Sequence, residues 1–255
     1  MIEFSVLRSH SDWKQHLMAT TGNTAFEYAV DGQRYVGSLF KNPDAKAAVV
    51  LLPDWRGQSD LSREHANYLV ELGCSVAIAD LYGDGFNPDN PSQVGPMVQR
   101  LMANRDQGVK ALAACITRLR EELSTRMPVI CLGYSAGGMV ALDYGRCNDD
   151  VAGVILCTAL LKTAAPGMNT RIKAPVLILQ GTQDQVSPIE SISAVIAEMD
   201  AAKNDVCFEL YTQTHHAFDN PAAGTDPAQR LVYSPTSAAR ARRSIARFIA
   251  ELTER

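Results

Sequence analysis

MPVICLGYSAGGMVALDY, residues 127–144, is an apolar run, Val129 to Leu132, that enters Gly133-Tyr134-Ser135-Ala136-Gly137 and continues from Gly138 with helix-compatible residues. Such a run predicts a strand, a sharp turn and a helix. A serine at the apex of that turn is held in a strained backbone conformation with its hydroxyl pushed outward. The glycines at its flanks are required because side chains there would collide with the strand and the helix. The N–H of the next residue, Ala136, then lies at a helix N-terminus, where it can face a developing negative charge.

The rest of the chain supplies the sheet around this turn. AAVVLLP (47–53), SVAIADLY (75–82), VAGVILC (151–157), APVLILQG (174–181) and VCFELY (206–211) are short apolar strand patterns. Their continuity suits strands covered on both faces. Helical spacing appears over 61–72, from about Met97 to Leu123 with a break near Gly108, from Pro188 to about Met199, and from Thr236 to Leu252. Residues 24–40 alternate around Asp31-Gly32, the signature of a two-residue hairpin turn. The alternation of strands and helices predicts an α/β fold with a mostly parallel sheet, helices on both faces and ligands bound beyond the carboxyl ends of the strands. Fewer than twenty residues separate the strand patterns ending at 157 and beginning at 174, which leaves no room there for a large cap. One domain over residues 1–255 is expected, opened by the hairpin at about 24–40.

Composition narrows the function classes. A net charge of −4 and 20% charged residues give no electrostatic footprint for nucleic acid or an anionic membrane. No basic segment followed by a long apolar one opens the chain, and no apolar run reaches the ~18 residues of a membrane span, so a cytoplasmic location is expected. The six cysteines form no C-x-x-C pair and stand near no histidine at metal-ligand spacing. They are expected to be reduced and structural, with no metal and no cofactor. His10, His16 and His65 fall in terminal or helix-like segments and read as surface or packing residues.

In a parallel sheet all the strand ends face one way, so residues following different strands can meet. Ser135 follows one strand, Asp184 follows GTQ after another, and His215-His216 follow TQT after a third. The chain order Ser, Asp, His, with gaps of 49 (184 − 135) and 32 (216 − 184), is that of the α/β-hydrolase triad. A serine hydroxyl becomes nucleophilic when an imidazole takes its proton, and a carboxylate holds that imidazole in the right tautomer. The loop after the first buried strand, Asp54-Trp55-Arg56-Gly57, offers the Trp55 N–H as a second oxyanion donor beside that of Ala136. Asp184 alone could also be a helix cap, and Trp55 a packing aromatic.

LLPDWRG, GCSVAIADLYGDG, GYSAGG, GTQDQVSP and above all YTQTHHAFDNP make the chain resemble the dienelactone hydrolase family of α/β-hydrolases, from about Val49 to Ile249. The resemblance implies that His216, not His215, is the catalytic histidine, since the family tends to show His-Ala-Phe or His-Ser-Phe there. It also implies two departures. Type members carry a cysteine in G-x-C-x-G where this chain has Ser135, and they hold a substrate carboxylate with arginines where this chain has Asp84 or its neighbours and Asn220. Arg56 could substitute for those arginines. Asp54, where the family often has a glutamate, either orients the loop through Arg56 or faces solvent.

The expectation is a cofactor-free serine hydrolase of dienelactone hydrolase type, acting on small-molecule esters or lactones through an acyl-enzyme. Ser135, Asp184 and His216 would be catalytic, Trp55 and Ala136 the oxyanion hole, and Asp54, Arg56, Tyr82, Tyr134 and Phe218 pocket residues. Peptidase or longer-chain lipase activity, and a non-catalytic binding protein of the same fold, are the rival readings.

Overall fold

The computed structural model describes residues 23–88, 90–124 and 127–254. His10 and His16 lie outside them. β1 (Thr24–Val30) and β2 (Gln33–Phe40) pair antiparallel with Val30 opposite Gln33. Asp31 and Gly32 between them have φ of +50° and +82°, so the turn has two left-handed residues, as the Asp-Gly pair predicts. β2 then pairs antiparallel with β4 (Cys74–Ile78). From β4 onward the sheet is parallel, through β3 (Ala47–Leu52), β5 (Val129–Tyr134), β6 (Gly153–Cys157), β7 (Val176–Gly181) and β8 (Val206–Tyr211). The order across the eight strands is β1-β2-β4-β3-β5-β6-β7-β8.

Two apolar layers explain why the inner strands are apolar at every position. One face packs under α3 (Arg105–Leu123), α4 (Ala136–Cys147) and α5 (Ile189–Ala201), with Val50, Cys131, Val154 and Ile178 pointing into it. The other lies under α1 (Asp60–Glu71) and α6 (Pro235–Thr253), with Val49, Leu51, Ile130 and Leu179 on that side. Every residue of β3 is buried in consequence. Fully burying a side chain of this size contributes roughly 1.5–3 kcal/mol.

α1 begins at Ser59, whose hydroxyl accepts from the Ser62 N–H at 3.3 Å, and it ends before Gly73 at φ +84°. The long helix expected over 97–123 is two helices, α2 (Pro91–Ala103) and α3, and the break falls at Asn104 (φ −124°, ψ 53°), not at Gly108. Gly108 lies inside α3, where a Cβ would stand 3.2 Å from a Val140 methyl. That glycine serves the close approach of α3 to α4. Arg105 pins the same junction by donating from Nε and Nη2 to Asp143 at 2.6 and 2.5 Å.

The connection between β6 and β7, residues 158–175, holds neither helix nor strand. The carboxyl ends of β3, β5, β7 and β8 are left uncapped by it. No helix among the described residues is long and apolar enough to cross a membrane.

Candidate active site

Ser135 sits between β5 and α4 at φ +48°, ψ −116°. A non-glycine residue held there costs about 1–3 kcal/mol, and its surroundings must fix it in place. They do so through the backbone. The Ser135 carbonyl accepts from Leu160 at 2.8 Å and from Gly138 at 3.1 Å, and the Ser135 N–H donates to the Cys157 carbonyl at 3.4 Å. The turn closes only with glycines on either side. A Cβ on Gly133 would stand 2.6 Å from the Gly137 carbonyl oxygen, and one on Gly137 would stand 2.4 Å from that of Pro53.

The Ser135 Oγ lies 3.0 Å from His216 Nε2, and His216 Nδ1 lies 2.7 Å from Asp184 Oδ2. All three residues are buried. Asp184 is fixed by more than the imidazole. Its Oδ1 accepts from the Val186 and Ser187 N–H groups at 2.7 and 2.9 Å, and its Oδ2 also accepts from Gln180 Nε2 at 2.7 Å. Asp184 does not cap α5, whose N-cap is Pro188 without a side-chain bond; it closes the turn before that helix and faces His216 at the same time. His216 is held by its backbone, whose carbonyl accepts from Val232 at 3.0 Å. His215 points elsewhere, into an open groove beside Gln185 and Ile189.

A cleft of about 390 Å³, counted with its open mouth, lies over Ser135 and His216 and is bounded by Asp54, Trp55, Arg56, Tyr134, Asp219 and Asn220, among others. The N–H groups of Trp55 and Ala136 both belong to the segments that meet at Ser135. Tyr82 does not line the cleft; its hydroxyl donates to the Trp55 carbonyl at 2.9 Å and so braces that loop from behind. Phe218 is not a wall residue either. It is fully buried, edge-on to Tyr211 at 5.4 Å, because its loop turns it into the layer under α6.

Asp54 takes the first of its two expected roles: its carboxylate accepts from Arg56 Nε at 3.1 Å, Arg56 Nη2 at 2.5 Å and the Arg56 N–H at 2.9 Å. Asp84 is exposed and outside the cleft, whereas Asn220 lines it and caps the following 3-10 turn, Pro221–Ala223.

Two residues that the sequence reading passes over belong to this region. Asp219 lines the cleft three positions after His216, and its Oδ2 lies 3.3 Å from Nε2 of buried His65. Burial, then the neighbouring Asp54 charge, pushes the Asp219 carboxyl up to about 6. Burial, helped by the Arg242 and Arg56 charges, pushes His65 down to about 3. His65 stacks on Tyr134 at 4.2 Å, so it packs behind the nucleophile turn. The other residue is Gln180, a single polar side chain ending the apolar β7. Its Oε1 is a buried oxygen with no hydrogen-bond partner among the described residues. The only sequence signal for Gln180 is that polar break; Asp219 gives none, because its neighbours come from residues 54–65.

Among the described residues no group of three His, Cys, Asp or Glu side chains could hold a metal ion. Four cysteines are buried and Cys147 and Cys207 are exposed. Burial raises Cys74 to about 11 and Cys115 to about 12, which keeps these thiols protonated and unreactive.

The model of the dienelactone hydrolase family matches residues 36–253. No curated protein matches the chain in sequence. Among solved structures, one named m3DLH is 26% identical with a TM-score of 0.85, over 92% of this chain and 99% of its own. A dienelactone hydrolase-like promiscuous phosphotriesterase, P91, from metagenomic libraries is 22% identical with a TM-score of 0.84, over 92% and 99%. A dienelactone hydrolase assigned in Klebsiella pneumoniae is 18% identical with a TM-score of 0.72, over 90% and 98%.

Proposed function

The chain belongs to the dienelactone hydrolase family, and on that premise we propose that it is a serine hydrolase cleaving small carboxylic esters or lactones through an acyl-enzyme. The observation that carries this reading is the continuous chain from Ser135 Oγ through His216 to Asp184, with contacts of 3.0 and 2.7 Å, at the floor of an open cleft.

In the proposed reaction Ser135 Oγ attacks the ester carbonyl while its proton passes to His216 Nε2. Asp184 stabilises the imidazolium that forms and holds its ring in place. The carbonyl oxygen becomes an oxyanion between the N–H groups of Trp55 and Ala136; one such donor typically contributes about 3–4 kcal/mol to the transition state. As the tetrahedral intermediate collapses, His216 returns the proton to the leaving alkoxide and the acyl group stays on Ser135. Water then enters, gives its proton to His216 and repeats the sequence, releasing the acid and the free serine. No cofactor is required for any of these steps.

The small space directly over Ser135 and His216 and the short 158–175 connection, which builds no cap to enclose a long chain, support small esters over long acyl chains or peptides. The cleft also lacks the family's arginine clamp: Asn220 occupies one of those places, and Arg56 is engaged by Asp54. Neutral esters are therefore favoured over a carboxylate-bearing dienelactone.

A series of p-nitrophenyl esters from acetate to decanoate, with one aminoacyl anilide, tests this. We expect kcat/KM to peak at the short esters, to vanish in Ser135→Ala and to be negligible on the anilide. A maximum at decanoate, or anilide cleavage above ester cleavage, would replace the reading with a lipase or a peptidase.

A further inference from the structure

We propose that Asp219 makes the cleft selective for esters carrying a cationic group, an ammonium above all, over neutral esters of the same shape. The inference rests on the serine-hydrolase reading of this cleft and adds a substrate class to it.

The charge balance around Ser135 supports it. Asp54 and Arg56, both from the loop after β3, are joined by four hydrogen bonds from Arg56 to the Asp54 carboxylate, so each largely cancels the other. His216, on the same loop as Asp219, has its ring nitrogens engaged by Ser135 and Asp184. His65, from α1, stands 3.3 Å from the Asp219 carboxylate, but with Arg242 of α6 and Arg56 acting on it in a buried place it remains a neutral imidazole at working pH. Tyr134 stacks on His65 and brings no charge. Asp219 is thus a carboxylate with only 12% of its side chain exposed, on the wall of the cleft; Arg56 acts on it from a distance but pairs with Asp54, and among the described residues no lysine or arginine pairs with Asp219.

An ion in that position is poorly solvated, and a counter-charge arriving with the substrate would be rewarded more than at an open surface. An ammonium on the substrate supplies that counter-charge. A substrate carboxylate would instead stand as a second unpaired negative charge beside Asp219. Burial first and the Asp54 charge second raise the Asp219 carboxyl to about 6 against the opposing pull of Arg56, and that value sets a pH window. Above that value the carboxylate is charged and attracts the ammonium. Below it a proton takes the cation's place and the selectivity fades.

The test compares kcat/KM for acetylthiocholine with that for its uncharged carbon analogue, 3,3-dimethylbutyl thioacetate, on the full chain. p-Nitrophenyl acetate serves as the charge-free check of hydrolase activity. At pH 7.5 and low salt we expect a preference for the choline ester on the order of tenfold. It should collapse in Asp219→Asn and at pH 5, and survive in Asp219→Glu. Equal rates on the two thioesters, or a preference that persists in Asp219→Asn, overturns the proposal while p-nitrophenyl acetate turnover leaves the hydrolase reading standing. Loss of all turnover, p-nitrophenyl acetate included, overturns the hydrolase reading and the proposal with it.

Discussion

Asp219→Asn should make the protein more stable at neutral pH. The Asp219 carboxyl is raised from 3.8 to about 6 in the folded chain, first by burial and then by Asp54. A group whose folded value lies above its unfolded one binds its proton more tightly when folded. Its stabilising contribution is therefore complete below pH 3.8 and is lost as the pH rises through 6. Every tenfold gain in proton affinity corresponds to about 1.4 kcal/mol, so above pH 6 the charged carboxylate costs the folded state on the order of 3 kcal/mol relative to a neutral isostere. Asparagine is that isostere. For a chain of this size 1 kcal/mol moves the melting midpoint by roughly 2–4 °C, so the variant should melt about 6–12 °C above the wild type at pH 7.5. Calorimetry of both proteins from pH 3.5 to 8 reads the difference directly. It should open between pH 4 and 6 and close at the acid end. A variant that melts below the wild type at pH 7.5, or a difference independent of pH, would refute the charge assignment at Asp219.

Two other substitutions probe the turn and its support. Gly137→Ala would place a methyl 2.4 Å from the Pro53 carbonyl oxygen and 2.5 Å from that of Leu52, both backbone atoms that cannot rotate away. The end of β3 and the Trp55 loop must shift, so kcat should fall by roughly 10²-fold in a protein whose circular dichroism remains native, and unchanged kinetics would refute the close packing. Gln180→Leu removes a 2.7 Å bond to the Asp184 carboxylate, a 3.3 Å bond to the Ala159 carbonyl, which still accepts from the Ser187 hydroxyl, and the unpartnered Oε1. The lost charge-assisted bond, about 1.5–3 kcal/mol, and the relieved orphan acceptor, about 1–3 kcal/mol, nearly cancel, so the melting midpoint should hold while kcat drops roughly tenfold as Asp184 loses its alignment. A large fall in the midpoint with kcat intact would assign Gln180 a purely structural part.

The parts legible from sequence are those whose physics is local. Gly133, Ser135 and Gly137 announce a strand-to-helix turn because the steric requirement acts within five residues, and the same turn fixes where β5 and α4 begin. Asp31-Gly32 announces the hairpin for a similar reason. The order of Ser135, Asp184 and His216 is legible because parallel strands bring their ends to one side whatever the loops do. Gly108 misleads, since a glycine in a helical pattern suggests a break whereas here it admits Val140 of a neighbouring helix. The break at Asn104 has no comparable mark. Phe218 and Asp219 are adjacent in sequence, yet one enters the core and the other faces the cleft. No periodicity in a loop encodes that choice. The environment of Asp219 is made by Asp54, Arg56 and His65, more than 150 residues earlier in the chain, and only the assembled sheet brings them to it.

The central claim is that Ser135 is an activated nucleophile, and labelling with a fluorophosphonate read by intact mass tests it most directly. The wild type should gain a single adduct, Ser135→Ala should gain none, and His216→Ala should label far more slowly because the proton acceptor 3.0 Å from Oγ is gone. A folded wild type that gains no adduct, or an adduct that persists in Ser135→Ala, would contradict the account.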